Sequence, residues 1–120
     1  MSTSTKGETT RIASSDFTAK QFFIGAIDAA GAVALAASAT ALIIGVVQNL
    51  PVVGEAANVR TMGTTKVKLG GTVTAGAWIT SDAAGKGIAT VTVGNIVIGR
   101  ALAAGVNNDI IEVQLGVFVL

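Results

Sequence analysis

The chain has 120 residues, enough for one domain with a modest hydrophobic core, and it contains no Cys, no His and no Tyr. Without thiols or imidazoles the usual nucleophiles, bases and metal ligands are missing, so we expect no enzyme, no metal site, no cofactor and no small-molecule substrate. A net charge of +1 with one Trp and four Phe offers neither a phosphate-tracking surface nor a stacking platform, which argues against nucleic-acid binding.

The segment 1–20 is polar, rich in Ser and Thr, and without apolar periodicity. This texture predicts an extended N-terminal arm at 1–20, followed by a single β domain at 21–120. We expect the arm to contact a partner, with packing along its own domain as the alternative. The side chains of the arm that we expect to make this contact are Lys6, Arg11, Ile12 and Phe17.

The next segments predict strands separated by a turn. Residues 22–27 and the apolar, β-branched run 43–48 predict strands, and Asp-Ala-Ala-Gly at 28–31 predicts a turn in which the Asp side chain bonds the backbone two residues on. The Ala-rich stretch 32–41 fits a helix or a strand.

An uncharged run at 29–47 is about long enough to span a bilayer, but only seven of its residues are strongly apolar. No Lys or Arg lies between Lys20 and Arg60, and no Trp or Tyr flanks the run. Ala-Ser-Ala at 37–39 looks like a signal-peptide cleavage site, yet acidic residues precede it. We therefore expect neither a signal peptide nor a membrane protein.

An internal repeat appears when the chain is aligned with itself without gaps. Asp-Ala-Ala-Gly at 28–31 falls on an identical segment at 82–85, and the same alignment places Ile44-Gly45 on Ile98-Gly99. This match, which we call the repeat alignment, predicts a duplicated β unit at about 21–66 and 75–120, with chance similarity in an Ala- and Gly-rich chain as the alternative. The mate of the apolar run carries Lys86 and Arg100, which also argues against a membrane span.

The second half predicts further short strands. Residues 59–62 and 66–69 predict a hairpin around Gly63-Thr64, and strands follow at 77–80, 88–93 and 96–100. Strict alternation at 111–119 predicts the clearest strand of the chain. The sequence therefore predicts a mainly β fold, a small barrel or sandwich with internal duplication.

Several features have a structural and a functional interpretation. Gly85-Lys86-Gly87 lacks the rest of a phosphate-binding loop and predicts a turn. Lys66 and Lys68 share one face of a strand, where they either protect an edge or contact an acidic partner. Trp78 is either a core anchor or an interface residue. The apolar end at 117–120 predicts a central strand or a subunit contact.

The stretches KLGGTVTAGAWITSDAAGKGIAT and NIVIGRAL…NNDIIEVQL, within about residues 21–115, resemble the small capsid decoration, or cement, proteins of tailed bacteriophages. The resemblance implies a compact β-tulip or barrel domain, a homotrimer, and binding to the major capsid protein on the outer surface of the virion. The arm and the Ala-rich stretch are less typical of this family.

The function that we expect is therefore structural: stabilisation of a phage head by bridging capsid subunits. Another self-assembling protein, such as a surface-layer, fibre or tail component, is the alternative. A small membrane protein is a weaker one.

Overall fold

The computed structural model describes residues 7–120, so the expected contact residue Lys6 lies outside the described part. Regular structure in this part consists of β-strands, and the predicted mainly β fold is confirmed. In chain order the strands are β1 Glu8–Ile12, β2 Ile24–Ile27, β3 Val33–Leu35, β4 Ile43–Val47, β5 Ala56–Arg60, β6 Gly63–Lys68, β7 Trp78–Ser81, β8 Gly87–Ala89, β9 Ile96–Ala101 and β10 Ile110–Val119.

The strands form two five-stranded antiparallel sheets with the same order. The first sheet is β1-β5-β4-β2-β3 and the second is β6-β10-β9-β7-β8, and within residues 7–120 they do not close into one barrel. In the repeat alignment β2 and β3 fall on β7 and β8 with matching bounds. We call residues 8–60 the first unit and residues 63–119 the second unit.

The division between the sheets corrects the predicted hairpin. β5 pairs with β1 and β4, whereas β6 pairs with β10, so Gly63-Thr64 does not join two paired strands. The chain instead passes from one sheet to the other after Arg60. Each unit therefore includes the strand that precedes the predicted repeat bounds of 21–66 and 75–120.

The hydrophobic core has two parts. The larger part lies between the sheets and joins Ile24 and Val46 of the first to Val67, Ile79 and Ile98 of the second. The smaller part covers the other face of the first sheet and includes Ala13, Phe17, Val33, Val47, Ala57 and Val59. The first sheet is thus covered on both faces.

The segment predicted as an arm is extended, but from Glu8 onward it lies along its own domain. β1 is the edge strand beside β5, and the segment after it places Ala13 and Phe17 in the smaller core. Phe17 is fully buried there, which corrects its expected role as a partner contact. A side chain that is fully buried in its own domain has no surface left to contact a partner.

The Ala-rich stretch contains the short strand β3 and loops, so it is not a helix. None of the structure described from Gly7 onward includes a helix long and apolar enough to cross a membrane.

Candidate interaction surface

The two units match residue by residue in the way their strands pair. Ile24 of β2 lies opposite Val46 of β4, and their counterparts in the repeat alignment, Trp78 of β7 and Arg100 of β9, also lie opposite each other. The contacts of the first unit can therefore be assigned counterparts in the second.

The first strands of the two units correspond through their bridges. Ala13 forms a parallel bridge to Val33, and Leu69 forms one to Gly87, which is the counterpart of Val33. Ala13 therefore corresponds to Leu69. By the same step, Ile12 at the end of β1 corresponds to Lys68 at the end of β6.

This match shows that the sheets stack in the same orientation. The first sheet turns Ile24 and Val46 into the shared core, while their counterparts Trp78 and Arg100 lie on the outer face of the second sheet. Two sheets related by a twofold axis would bury the same positions from both. The face that the first sheet uses for stacking is thus left open on the second.

Three backbone hydrogen bonds within residues 7–120 join the units. Ile24 N–H donates to the Gly85 carbonyl at 2.7 Å, Lys68 N–H to the Phe22 carbonyl at 3.0 Å, and Ile96 N–H to the Ala39 carbonyl at 2.7 Å. Gly85 fits closely at this junction, since an added Cβ would meet Leu35 at 2.6 Å. The turn at 82–85 therefore sits in a notch of the first unit.

An aromatic and cationic cluster occupies the open face of the second sheet. The Arg100 guanidinium carbon lies 4.1 Å from the centroid of the Trp78 ring, within the range of a cation–π contact. Phe118 meets Trp78 edge-on, with ring centroids 4.9 Å apart and planes at 82°. A groove of about 330 Å³ runs beside them, and Gln114 and Gly116 help to line it.

The C-terminal part of β10 supplies Phe118 through a local irregularity. The pairing of β10 with β9 shifts between Leu115 and Phe118, which is a β-bulge. β6 pairs with β10 only as far as Leu115, so the last residues form an edge. Phe118 remains 38% exposed and Val119 64% exposed. The predicted apolar end is thus a central strand that continues as a partly exposed edge.

A second hollow, the open notch, lies at one end of this face. It encloses about 470 Å³. Gly76 and Phe22 are counterparts and both have a positive φ, at 89° and 67°, so the backbone follows the same path in the two units. The open notch is the counterpart of the site in the first unit that receives the turn at 82–85. The residues that line it are Thr74, Ala75, Gly76, Ala77, Trp78, Ala89, Thr90 and Val91.

The remaining predicted contact residues lie on the edges of the sheets. Arg11 is exposed and its Nη1 donates to the Gly31 carbonyl at 3.1 Å, and Ile12 is exposed at the end of β1. Lys66 is exposed and Lys68 is half-buried, with Val67 facing the core between them. The predicted alternation of this strand and its edge position are confirmed. The structure does not bring the four residues into one cluster.

The matching turns at 28–31 and 82–85 are built as predicted. Asp28 accepts hydrogen bonds from the N–H groups of Ala30 and Ala32, and Asp82 accepts them from Ala84 and Lys86. The Ser14 hydroxyl, followed by the Ala32 N–H, lowers the pKa of Asp28 below its ordinary value of 3.8. Both carboxylates thus hold the backbone of their turns. Gly85-Lys86-Gly87 leads into β8, as a turn should.

Across residues 7–120 no group of three or more Asp or Glu side chains lies close enough to hold a metal ion. Sequence patterns indicated Trp78 and the apolar C-terminus separately, but they indicated neither Arg100 nor the open notch. The repeat alignment matches Arg100 with Val46, but only the structure shows that Val46 is buried and that Arg100 lies on the open face.

The fold has a known counterpart among solved structures. The crystal structure of the head fiber gp8.5 N base of bacteriophage phi29 superposes with a TM-score of 0.70 at 15% sequence identity, covering 91% of this chain and 92% of that one. No family model matches the chain. No curated protein matches it either. At this identity the likeness establishes that the chain shares the fold of that head fiber base.

Proposed function

We propose that the chain is a structural protein of a phage virion, which assembles with itself and binds the outer surface of the head through the major capsid protein. The observation that carries the proposal is the shared fold with a phage head fiber base over nearly the whole of both chains. The mechanism is physical: many weak contacts repeated over a shell bind by avidity. No catalytic step is involved.

The sequence resemblance to decoration proteins supports a location on the phage head. The shared fold with a head fiber base supports the same location independently. The resemblance implies a homotrimer that bridges capsid subunits, whereas the structural neighbour is described as the base of a head fiber. The second candidate function, the base of a head fiber, is favoured by the description of the neighbour itself. Immunogold labelling separates the two, because a decoration protein covers the whole head whereas a fiber base marks the points where fibers emerge.

The head-binding surface that we propose includes Lys66 and Lys68. Both lie on the edge strand β6, where their charges are accessible to an acidic partner surface. Glu112 lies opposite Lys66, so replacing Lys by Gln is preferable to replacing it by Glu, which would place like charges opposite each other.

The test is co-sedimentation of the purified chain with phage heads that lack it. We expect the wild type to sediment with the heads, and the double variant Lys66→Gln/Lys68→Gln to bind more weakly and with a smaller dependence on salt. Lys20→Gln, at a half-buried lysine outside this strand, is the control. Absence of wild-type binding contradicts the proposed function, and unchanged binding of the double variant contradicts this surface.

A further inference from the structure

We infer that the open notch of the second unit binds the Asp28–Gly31 turn of a second copy of this chain. The two units of one chain are already stacked on each other. The contact that we infer repeats this stacking between two molecules. It deepens the self-assembly in the proposed function and does not depend on binding to a head.

The turn and its receptor are both available. The turn at 82–85 occupies the notch of the first unit, where the Gly85 carbonyl accepts from Ile24 N–H at 2.7 Å. The turn at 28–31 has an identical sequence and the same Asp hydrogen bonds, and Ala29 and Ala30 are exposed. Its Gly31 carbonyl accepts a hydrogen bond from Arg11 and retains a second lone pair. That lone pair can accept from the backbone N–H of Trp78 in another copy, as the Gly85 carbonyl accepts from Ile24.

The other two hydrogen bonds between the units also have counterparts that remain open in the described part of the chain. Lys68 N–H and the Phe22 carbonyl correspond to Ile12 N–H and the Gly76 carbonyl. Ile96 N–H and the Ala39 carbonyl correspond to Leu42 N–H and the Val93 carbonyl. The two donors, Ile12 N–H and Leu42 N–H, lie on the outer side of the first unit. The two acceptors, the Gly76 and Val93 carbonyls, lie on the open side of the second unit.

Exposed apolar side chains lie at three of these positions and at Val91, which lines the open notch. Ile12 is 55% exposed and Leu42 64% exposed on the first unit, while Val91 is 89% and Val93 86% exposed on the second. Large aliphatic side chains left this open in water favour burial in a contact. The two surfaces differ, so the contact is head-to-tail, and it closes into a ring or continues as a filament.

The test uses charges at the paired positions Leu42 and Val93. We expect analytical ultracentrifugation to show an oligomer for the wild type, and its loss in both Leu42→Asp and Val93→Lys. Mixing the two variants should restore the oligomer, because each mixed contact pairs either Asp with Lys or Leu with Val. Val53→Asp changes an equally exposed residue, at 63%, on the loop before β5, and should leave the oligomer intact.

Circular dichroism verifies that each variant is folded, which is expected since both positions are exposed in the single chain. A wild-type monomer at all concentrations overturns the inference. An oligomer that persists in Leu42→Asp also overturns the inference. A face-to-face dimer through the second unit would bury Val93 but not Leu42, so it would survive that substitution. Co-sedimentation with heads, measured separately, shows whether a failure here extends to the proposed function.

Discussion

Gly45 and Gly99 occupy the same position in the two units, and in both the missing side chain allows close approach of backbones. A Cβ at Gly45 would overlap the Arg60 carbonyl oxygen, and one at Gly99 would overlap that of Gln114, which is the counterpart of Arg60. The obstacle is backbone in both cases, and backbone in a paired strand cannot move aside as a flexible side chain can.

We therefore expect Gly45→Ala and Gly99→Ala each to lower the free energy of unfolding by about 1–3 kcal/mol, the usual cost of overpacking. Urea denaturation measures the effect. Gly116→Ala is the matched control, because a Cβ at that glycine meets no atom within 4 Å, and it should leave the urea midpoint nearly unchanged. Equal losses in all three variants would contradict close approach of backbones as the cause, because only Gly45 and Gly99 have such a neighbour.

Asp28 gives the stability of the fold a defined dependence on pH. Hydrogen bonds from Ser14 and Ala32 lower its pKa in the folded state below the ordinary value of 3.8. The carboxylate therefore stabilises the fold fully above that pH, and the contribution is lost as the pH falls through the folded-state pKa. The pKa of Asp16 is lowered in the same direction, mainly by Thr18.

Replacing Asp28 by Asn removes this titration while keeping a side-chain oxygen as acceptor. We expect the wild type to be more stable than Asp28→Asn at neutral pH, and the difference to shrink below pH 3.8. Urea midpoints measured across the acid range give the comparison. A difference that stays constant with pH would show that the amide loses geometry rather than charge.

Among the elements, β1 and the segment after it are integral to the fold. Deleting residues 2–16 would remove the edge strand and Ala13 together, so weaker binding to heads would not identify a binding arm. Phe17, which follows this stretch, is the largest buried side chain in the smaller core. Replacing it tests whether the segment has a structural role in the fold or a role in binding.

We expect Phe17→Ala to cost about 3–5 kcal/mol, as for other fully buried aromatic residues. Phe118→Ala, at a partly exposed position, should cost clearly less. Thermal unfolding compares the two variants, and a small effect at Phe17 would contradict its core position.

Local sequence signals predicted single elements well and failed where two elements look alike. Period-2 alternation located β10, and the Asp-Ala-Ala-Gly turns were built as expected. Gly63-Thr64 predicted a hairpin because a turn between two apolar runs has the same composition whether the strands pair or enter different sheets. Phe17 was misplaced because a single apolar residue among polar neighbours leaves no periodicity to detect.

At the scale of the whole molecule, the repeat alignment carried more information than any local pattern. It relates the two sheets, but it does not give the way they stack, because that depends on which face of each strand is buried. Val46 and Arg100 illustrate the limit: they align in sequence, and only the structure places one in the core and the other over Trp78. The cluster with Phe118 depends on a β-bulge, which has no distinct sequence signal here.

The short connection between Arg60 and Gly63 gives the stacking of the units a further property. Because one chain carries both partners, their effective concentration is fixed, and this contact stays closed at any dilution. The contact that we propose between copies obeys mass action instead and is weak when copies are scarce. Assembly on a crowded surface would then be favoured over assembly in bulk solution, so newly made chains would remain dispersed until a surface gathers them.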